Sequence, residues 1–365
     1  MGFSVGLGDI LDPLNLVSGA IDRKNLLPIL SYLHCEVSKG LLTIVGSNQE
    51  QELSAQCSVS SDLEFEAEFT LPGRKLLEVC RHLSSDSPLE FELGDHVVGL
   101  RSGRFWSQFS ILPVVDFPLS DPVVEDFRLE LPVSGLRQLV EKVSFAMAQQ
   151  DVRYFFNGML FEVQNGTLRV VATNGQRLAV AQEEVVSTNG CRVILPRKAV
   201  LELLRLAKGE GTVVLSMDAN HFVAEFSGRR LVTKLIDAEY PDYEKAIPKN
   251  QSVTLLANRS LLRAALIRIS ILSNELYRNV KLEISNGLLT LTANNPQQEE
   301  AEEEIEIEYS GVPIEIGFNV SYLTDVLSVV SSDEVEISLS DGASPIVISA
   351  LDSRQAKYVI SPMVI

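Results

Sequence analysis

The sequence predicts an α+β protein made of three similar domains in a row, each with two helices packed on antiparallel, strand-rich sheets. Three observations predict it. First, a strand–turn–strand pattern recurs as Leu33–Ile44, Leu160–Val170 and Leu282–Leu291, with alternating apolar residues around Lys39-Gly40, Asn165-Gly166 and Asn286-Gly287. The turn glycines Gly40, Gly166 and Gly287 are 126 and 121 residues apart. Second, Leu71-Pro72-Gly73-Arg74-Lys75 opens a helical pattern that returns at Leu195-Pro196-Arg197-Lys198 and at Phe318-Asn319-Val320-Ser321-Tyr322. Third, each repeat leaves through a proline, at Asp116-Phe117-Pro118, Glu239-Tyr240-Pro241 and Ile360-Ser361-Pro362.

Taken in order, each repeat holds two helical segments. The first of each pair is expected near Asp9 to Ala20, Ser134 to Ala148 and Arg259 to Leu272, and the second over 74–82, 197–208 and 318–330. In the 197–208 stretch Val200, Leu201, Leu203, Leu204 and Ala207 keep helical spacing while Lys198, Glu202 and Arg205 fall opposite, giving one core face. The domains are expected to span 1–122, 123–248 and 249–365. A chain of 365 residues is too long for one compact core.

Composition narrows the function. The 49 acidic residues against 31 Lys and Arg give a net charge of −18, which disfavours a simple basic nucleic-acid binder or an acidic-membrane binder. Charge is uneven, however: counted over 8–24, 74–82, 134–148, 197–208, 259–268 and 318–330, the helical stretches together carry +7, so the remaining chain carries −25. Either these helices present a surface that tolerates phosphates, or Lys and Arg simply favour helices over strands. Asp9 and Asp12 stand where a signal peptide would be positive, and Gly6 replaces the Ser or Thr a myristoylation motif needs after Gly2. Cys35, Cys57, Cys80 and Cys191 are scattered and read as reduced cytoplasmic thiols, so the Asn165-Gly166-Thr167 sequon is expected to be inert. No stretch approaches the ~20 apolar residues of a membrane span.

Catalytic signatures fail: there is no phosphate-binding loop, zinc-protease motif or nucleophile elbow. Gly6 and Gly8 lack the third glycine and the upstream strand of a dinucleotide loop. His34, His82, His96 and His221 are dispersed without metal-ligand spacing. The expectation is a non-enzyme with no cofactor and no metal. The most biased segment, Glu299 to Glu308, alternates Glu with Ile in its second half and reads as a half-buried strand; its acidic face is either solvated or opposed to a basic partner. Arg101 and Arg104 lie on a corresponding strand region of the first repeat.

Longer strings then carry a family resemblance. Gln150-Asp151-Val152-Arg153-Tyr154-Phe155-Phe156-Asn157-Gly158-Met159-Leu160-Phe161-Glu162 and Ala172-Thr173-Asn174-Gly175-Gln176-Arg177-Leu178-Ala179 resemble the bacterial DNA polymerase III beta subunits, the sliding clamps. So do Pro196-Arg197-Lys198, Tyr240-Pro241-Asp242-Tyr243, Ile271-Leu272-Ser273-Asn274-Glu275, Asn294-Asn295-Pro296 and Gly317-Phe318-Asn319-Val320-Ser321-Tyr322, through all three repeats.

The resemblance implies three clamp-type domains per chain and a head-to-tail homodimer closed into a ring of pseudo-sixfold symmetry around double-stranded DNA. Twelve helices at about 10 Å each would make a ring roughly 120 Å around, with a lumen of about 28 Å. Topological retention needs only weak, non-specific phosphate contacts, which reconciles an acidic protein with DNA. It implies duplex-facing positions at Lys24, Arg74, Gln150, Tyr154, Arg197, Lys198 and Arg205. It implies a dimer interface of Lys75, Arg104, Trp106 and Phe109 against Ile271, Leu272, Glu299, Glu300, Glu302 and Glu303, with Trp106 and Ser107 departing from the commoner basic and aromatic pair.

It further implies a cleft for linear motifs of the polymerase III catalytic subunit, the clamp loader, other polymerases and repair proteins. The matching residues are Phe156, Thr173, Gly175, Gln176, Arg177, Leu178, Pro241, Lys245, Ala246, Pro345, Val359, Ser361, Pro362 and Met363. Gln176 stands for a frequent His, Lys245 for a frequent Arg, and Ser361, Val364 and Ile365 also depart. The implied role is a non-catalytic, cytoplasmic processivity ring that tethers the replicative polymerase. A clamp-like peptide-binding scaffold specialised for repair or a mobile element, not closing on DNA, stays open beside it.

Overall fold

The computed structural model describes residues 2–21, 27–61, 65–84, 87–187, 189–249, 251–351 and 355–364. The first third of the chain forms β1 (Gly2–Val5), α1 (Leu7–Val17), β2 (Tyr32–Ser38), β3 (Leu41–Ser47), β4 (Gln51–Ser58), β5 (Ala67–Pro72), α2 (Gly73–Arg81), β6 (Leu89–Leu93), β7 (Val97–Ser102) and β8 (Phe105–Ser110). The middle forms β9 (Phe127–Pro132), α3 (Val133–Ser144), β10 (Gly158–Gln164), β11 (Thr167–Thr173), β12 (Arg177–Glu184), β13 (Cys191–Pro196), α4 (Arg197–Leu206), β14 (Thr212–Met217), β15 (His221–Phe226) and β16 (Arg229–Lys234). The last third forms β17 (Val253–Asn258), α5 (Arg259–Ser270), β18 (Asn279–Ser285), β19 (Leu288–Asn294), β20 (Glu300–Glu306), β21 (Ile314–Asn319), α6 (Val320–Val329), β22 (Glu334–Leu339), β23 (Ile346–Ala350) and β24 (Ala356–Ile360).

The three repeated hairpins are β2–β3, β10–β11 and β18–β19. Their turns need glycine because Gly40, Gly166 and Gly287 sit at φ +75°, +71° and +75°. All six helices form where the spacing predicts, with shifted ends. The first ends at Val17 and continues as a 3-10 turn over Ser18–Ala20. The third stops at Ser144, although Ala146, Met147 and Ala148 stay buried, so apolar spacing ran on past the helix itself. Asn258 and Asn319 cap α5 and α6 by accepting from the backbone N–H groups of Leu261 at 3.0 Å and Ser321 at 2.9 Å.

The chain splits into two compact units, Met1–Leu136 with Lys198–Leu235, and Arg137–Arg197 with Ile236–Ile365. Each unit holds one eight-stranded and one four-stranded sheet, antiparallel at every pairing. In the first unit the orders are β5-β2-β3-β4-β16-β15-β14-β9 and β1-β6-β7-β8. In the second they are β13-β10-β11-β12-β24-β23-β22-β17 and β20-β19-β18-β21. Each large sheet therefore joins strands from two successive repeats, at a β4–β16 seam in the first unit and a β12–β24 seam in the second. In the first unit α1 packs on β3 and β4 beside α2; in the second α5 packs beside α6 and on β19 and β20.

Cys35, Cys57 and Cys80 are buried free thiols and Cys191 is half-buried. Burial raises all four, Cys57 and Cys191 to about 11 and Cys80 to about 12, which keeps them as unreactive thiols. No helix among the described residues is long and apolar enough to cross a membrane. No cluster of three or more potential metal ligands occurs among them either.

Candidate peptide-binding cleft and ring surfaces

The residues implied for the cleft all lie in the second unit, and the β12–β24 seam gathers most of them. Leu178 and Val359 are direct cross-strand partners there. Both belong to one buried apolar cluster with Leu160, Val171, Val180, Ile194, Val347, Tyr240 and Tyr243. Phe156 is buried nearby, edge-on to Phe155 with ring centroids 4.7 Å apart and to Tyr240 at 6.4 Å. Over this floor Pro241, Lys245 and Ala246 are exposed and Pro345, Ser361, Pro362 and Met363 half-buried. Lys245 pairs with Asp242 at 3.0 Å.

The β11–β12 turn fixes the polar rim. Asn174 Oδ1 accepts from the N–H groups of Gln176 and Arg177, each at 3.0 Å, while Thr173 Oγ1 donates to the Arg177 carbonyl at 2.7 Å. Gly175 sits at φ +89°, and a Cβ there would lie 3.1 Å from the Arg153 guanidinium. The Gln176 carbonyl accepts from Ser361 N–H at 2.9 Å, and Met363 N–H donates to Gly317 at 2.8 Å, so the segment after β24 is tied down at two points.

Arg177 is the most connected side chain of the rim. Its Nη1 donates to Asp325 Oδ2 at 2.5 Å, Nη2 donates to the Phe145 carbonyl, and the guanidinium stacks 4.6 Å from the Tyr322 ring centroid and 5.1 Å from that of Phe145. Asp151 is held down to about 2, first by its side-chain hydrogen bond with Arg153. Burial first, then the Glu162 carboxylate that accepts from Tyr243 Oη at 2.9 Å, raises Tyr243 to about 12. A cavity of about 740 Å³ opens between these groups, lined by Gln150, Arg153, Asn174, Arg177, Arg197 and Tyr322 among others.

Sequence reasoning missed Tyr240, Tyr243, Asn174, Tyr322 and Asp325 as parts of this site. The Glu239-Tyr240-Pro241 exit motif marked Tyr240 as a boundary signal, and nothing in the spacing joined it to Leu178.

The duplex-facing positions are divided between the units. Lys24 lies outside the described residues. Arg74 is exposed and donates to the Ile21 carbonyl at 3.1 Å; Lys198 and Arg205, also in the first unit, are half-buried. Arg205 has a structural partner: it donates to the Leu16 carbonyl at the end of α1 and pairs with Glu202 at 3.0 Å, so its guanidinium is engaged inside the fold. Gln150 and Tyr154 in the second unit are exposed, and Arg197 is half-buried, donating to Met147 O at 3.3 Å.

The implied dimer residues sit near two sheet edges. On edge strand β8 and just before it, Arg104 and Trp106 are exposed, Trp106 at 58%. Phe109 is instead buried within its own sheet, because alternation turns it inward. Lys75 is exposed on α2. On edge strand β20 and just before it, Glu299, Glu300 and Glu302 are exposed, and Ile271 beyond α5 is 74% exposed while Leu272 is half-buried. Glu303 has a partner in its own chain, since Arg268 Nε donates to Glu303 Oε2 at 2.9 Å, and that bond holds the carboxyl below its usual range.

Comparison with known proteins accounts for the whole chain. Three domain signatures match, the DNA polymerase III beta subunit N-terminal domain at 1–121, central domain at 130–242 and C-terminal domain at 244–364. The beta sliding clamps of Pseudomonas aeruginosa and Escherichia coli K12 are each 40% identical, with 100% of both chains covered. The crystal structure of the Pseudomonas aeruginosa DNA polymerase III subunit beta superposes with a TM-score of 0.96 at 40% identity over 100% of both chains. A Bartonella birtlesii sliding clamp bound to griselimycin superposes at 0.95 with 32% identity, again over 100% of both. The chain belongs to the DNA polymerase III beta subunit family.

Proposed function

We propose that this chain is a DNA sliding clamp, a non-catalytic ring that encircles duplex DNA and tethers the replicative polymerase as its processivity factor. Its partners on this reading are double-stranded DNA, held topologically and without sequence preference, a second copy of itself head to tail, and peptide motifs of the polymerase III catalytic subunit, clamp loader, other polymerases and repair proteins. It acts in the cytoplasm. The chain is divided into clamp domains at 1–122, 123–248 and 249–365.

The observation that carries ring closure is the pair of open sheet edges of opposite character. An exposed edge strand is a template for pairing with another chain unless something covers it. β8 follows Arg104 and shows Trp106, whereas β20 shows a row of glutamates, so one chain's β8 complements another's β20 in charge and in hydrogen bonding. Lys75, Ile271 and Leu272 extend that contact. Arg74, Gln150, Tyr154, Arg197 and Lys198 supply weak phosphate contacts along the lumen; Arg205 acts chiefly by holding the end of α1.

The cleft over Leu178 and Val359 takes the linear motifs. Its walls are Pro241, Ala246, Pro345, Pro362 and Met363, with Gln176, Arg177, Thr173 and Gly175 as the polar rim; Phe156 is part of the floor and Lys245 and Ser361 border it.

The deciding experiment loads the protein onto circular DNA with a clamp loader and ATP and then linearises the DNA. Release only on linearisation establishes encirclement; failure to load, or persistence on linear DNA, overturns it in favour of a peptide-binding scaffold that does not close. Independently, Arg104→Glu is expected to convert dimer to monomer at micromolar concentration by like-charge repulsion against the glutamate strand, and an unchanged sedimentation coefficient contradicts the interface.

A further inference from the structure

We propose that a second cavity, alongside the cleft, is a subsite for acidic residues that flank the apolar anchor of a docking peptide. This rests on the cleft reading above and adds a chemical class to its ligand. The cavity is about 610 Å³ and is lined by Arg169, Lys249 and Lys357 over an apolar side made by Val180, Tyr243 and Ile247.

It continues the cleft along the same strands. Leu178 and Val180 alternate onto one face of β12, and their cross-strand partners on β24 are Val359 and Lys357. A peptide seated over Leu178 and Val359 therefore has its neighbouring residues over Val180 and Lys357, about 7 Å along the strand. Val180 and Tyr243 belong to the same buried cluster as Leu178 and Val359, so no ridge of core separates the two places. The 3-10 turn Tyr243–Ala246 borders the cavity through Tyr243 and Glu244, and Tyr243 also belongs to the cluster under Leu178 and Val359.

Charge names the ligand. The carboxylate lining the cavity is Glu244, and it sits 3.6 Å from Arg169, which also lies 3.9 Å from Glu162. Arg169 is thereby neutralised. Lys249 and Lys357 are both exposed and have no carboxylate within ion-pair distance among the described residues. On a chain of net charge −18, two ammonium groups with no carboxylate partner among the described residues select acidic side chains and steer them in, while the surrounding surface repels them. The apolar side, continuous with the cleft, favours a peptide over a nucleic-acid backbone.

The test uses the full-length protein and fluorescent pentapeptides bearing a leucine–phenylalanine anchor, either plain or with three glutamates added at one end or the other. Anisotropy titration is expected to show one of the two extended peptides binding about three- to tenfold tighter than the plain one at low salt. That gain should vanish at high salt and in a Lys249→Ala/Lys357→Ala variant, which keeps the plain peptide within twofold. Equal affinities for plain and extended peptides, or a gain that survives the double substitution, overturn the acidic subsite and leave the cleft standing. Binding of neither peptide removes the cleft reading, and this proposal with it. Tighter binding of a thymidine decamer through the same lysines assigns the cavity to nucleic acid and overturns the peptide proposal.

Discussion

The two seams between repeats are built alike and end up opposite in chemistry. Twelve residues after its turn glycine, the first repeat places Glu52 on β4, opposite Val232 of β16; twelve residues after its own, the second places Leu178 on β12, opposite Val359 of β24. Phe117 and Tyr240 occupy the same exit motif and cover clusters that contain Val45 and Val171 respectively. Three residues beyond them come Ser120 and Tyr243. In the first seam Ser120 N–H donates to the buried Glu52 carboxylate at 2.7 Å, and Arg230 lies 3.7 Å from it. In the second, the Tyr243 ring joins the apolar floor and its hydroxyl reaches Glu162 instead. One seam is closed by a satisfied carboxylate and the other by an apolar cluster, so a single position in a shared frame separates a polar junction from the floor of the proposed cleft.

That contrast can be broken from either side. Leu178→Glu places a carboxylate in the second cluster without the N–H that serves Glu52. The expected loss is about 3–5 kcal/mol of stability in urea unfolding, with no detectable affinity for the apolar peptide. Retained affinity would show that Leu178 is not part of the floor. Glu52→Leu does the reverse and leaves Ser120 N–H without its acceptor. The expected cost is about 1–3 kcal/mol by the same assay, and a stabilised variant would mean that apolar burial outweighs the lost bonds.

Smaller changes sharpen the comparison. Tyr243→Phe keeps the ring and deletes the bond to Glu162, so about 1 kcal/mol of stability should go while the peptide affinity stays within twofold. The smallest effect concerns pH. Asp151 is depressed in the fold to about 2 through Arg153, so its contribution is fully present above the ordinary carboxylate value of about 3.9 and is lost as pH falls towards 2. An NMR titration should place the Asp151 midpoint near 2, returning to the ordinary range in Arg153→Ala.

Much of this architecture was legible because it is local. A hairpin turn is written in two residues, so Lys39-Gly40, Asn165-Gly166 and Asn286-Gly287 announced three repeats. A helix is written in its apolar spacing, so all six appeared, with ends shifted by a few residues, as where α1 starts at Leu7, α6 starts at Val320 and buried Met147 continues beyond the last turn of α3. The partnership of Arg268 with Glu303 was not legible, because it joins a helix to a strand 35 residues away through side chains that both read as solvated. Arg205 read as a free helical cation for the same reason, its acceptor at Leu16 being 189 residues distant.

The amino-acid sequence by itself determined the repeat, the hairpins, the amphipathic helices and the excess of acid outside the helices, since each is written in residue types or in neighbours within one or two turns of chain. Tertiary structure alone decided which repeats share a sheet, and so brought Leu178 beside Val359 and Glu52 beside Ser120. Those contacts join residues 181 and 68 positions apart, and periodicity carries no record of which edge a strand will meet.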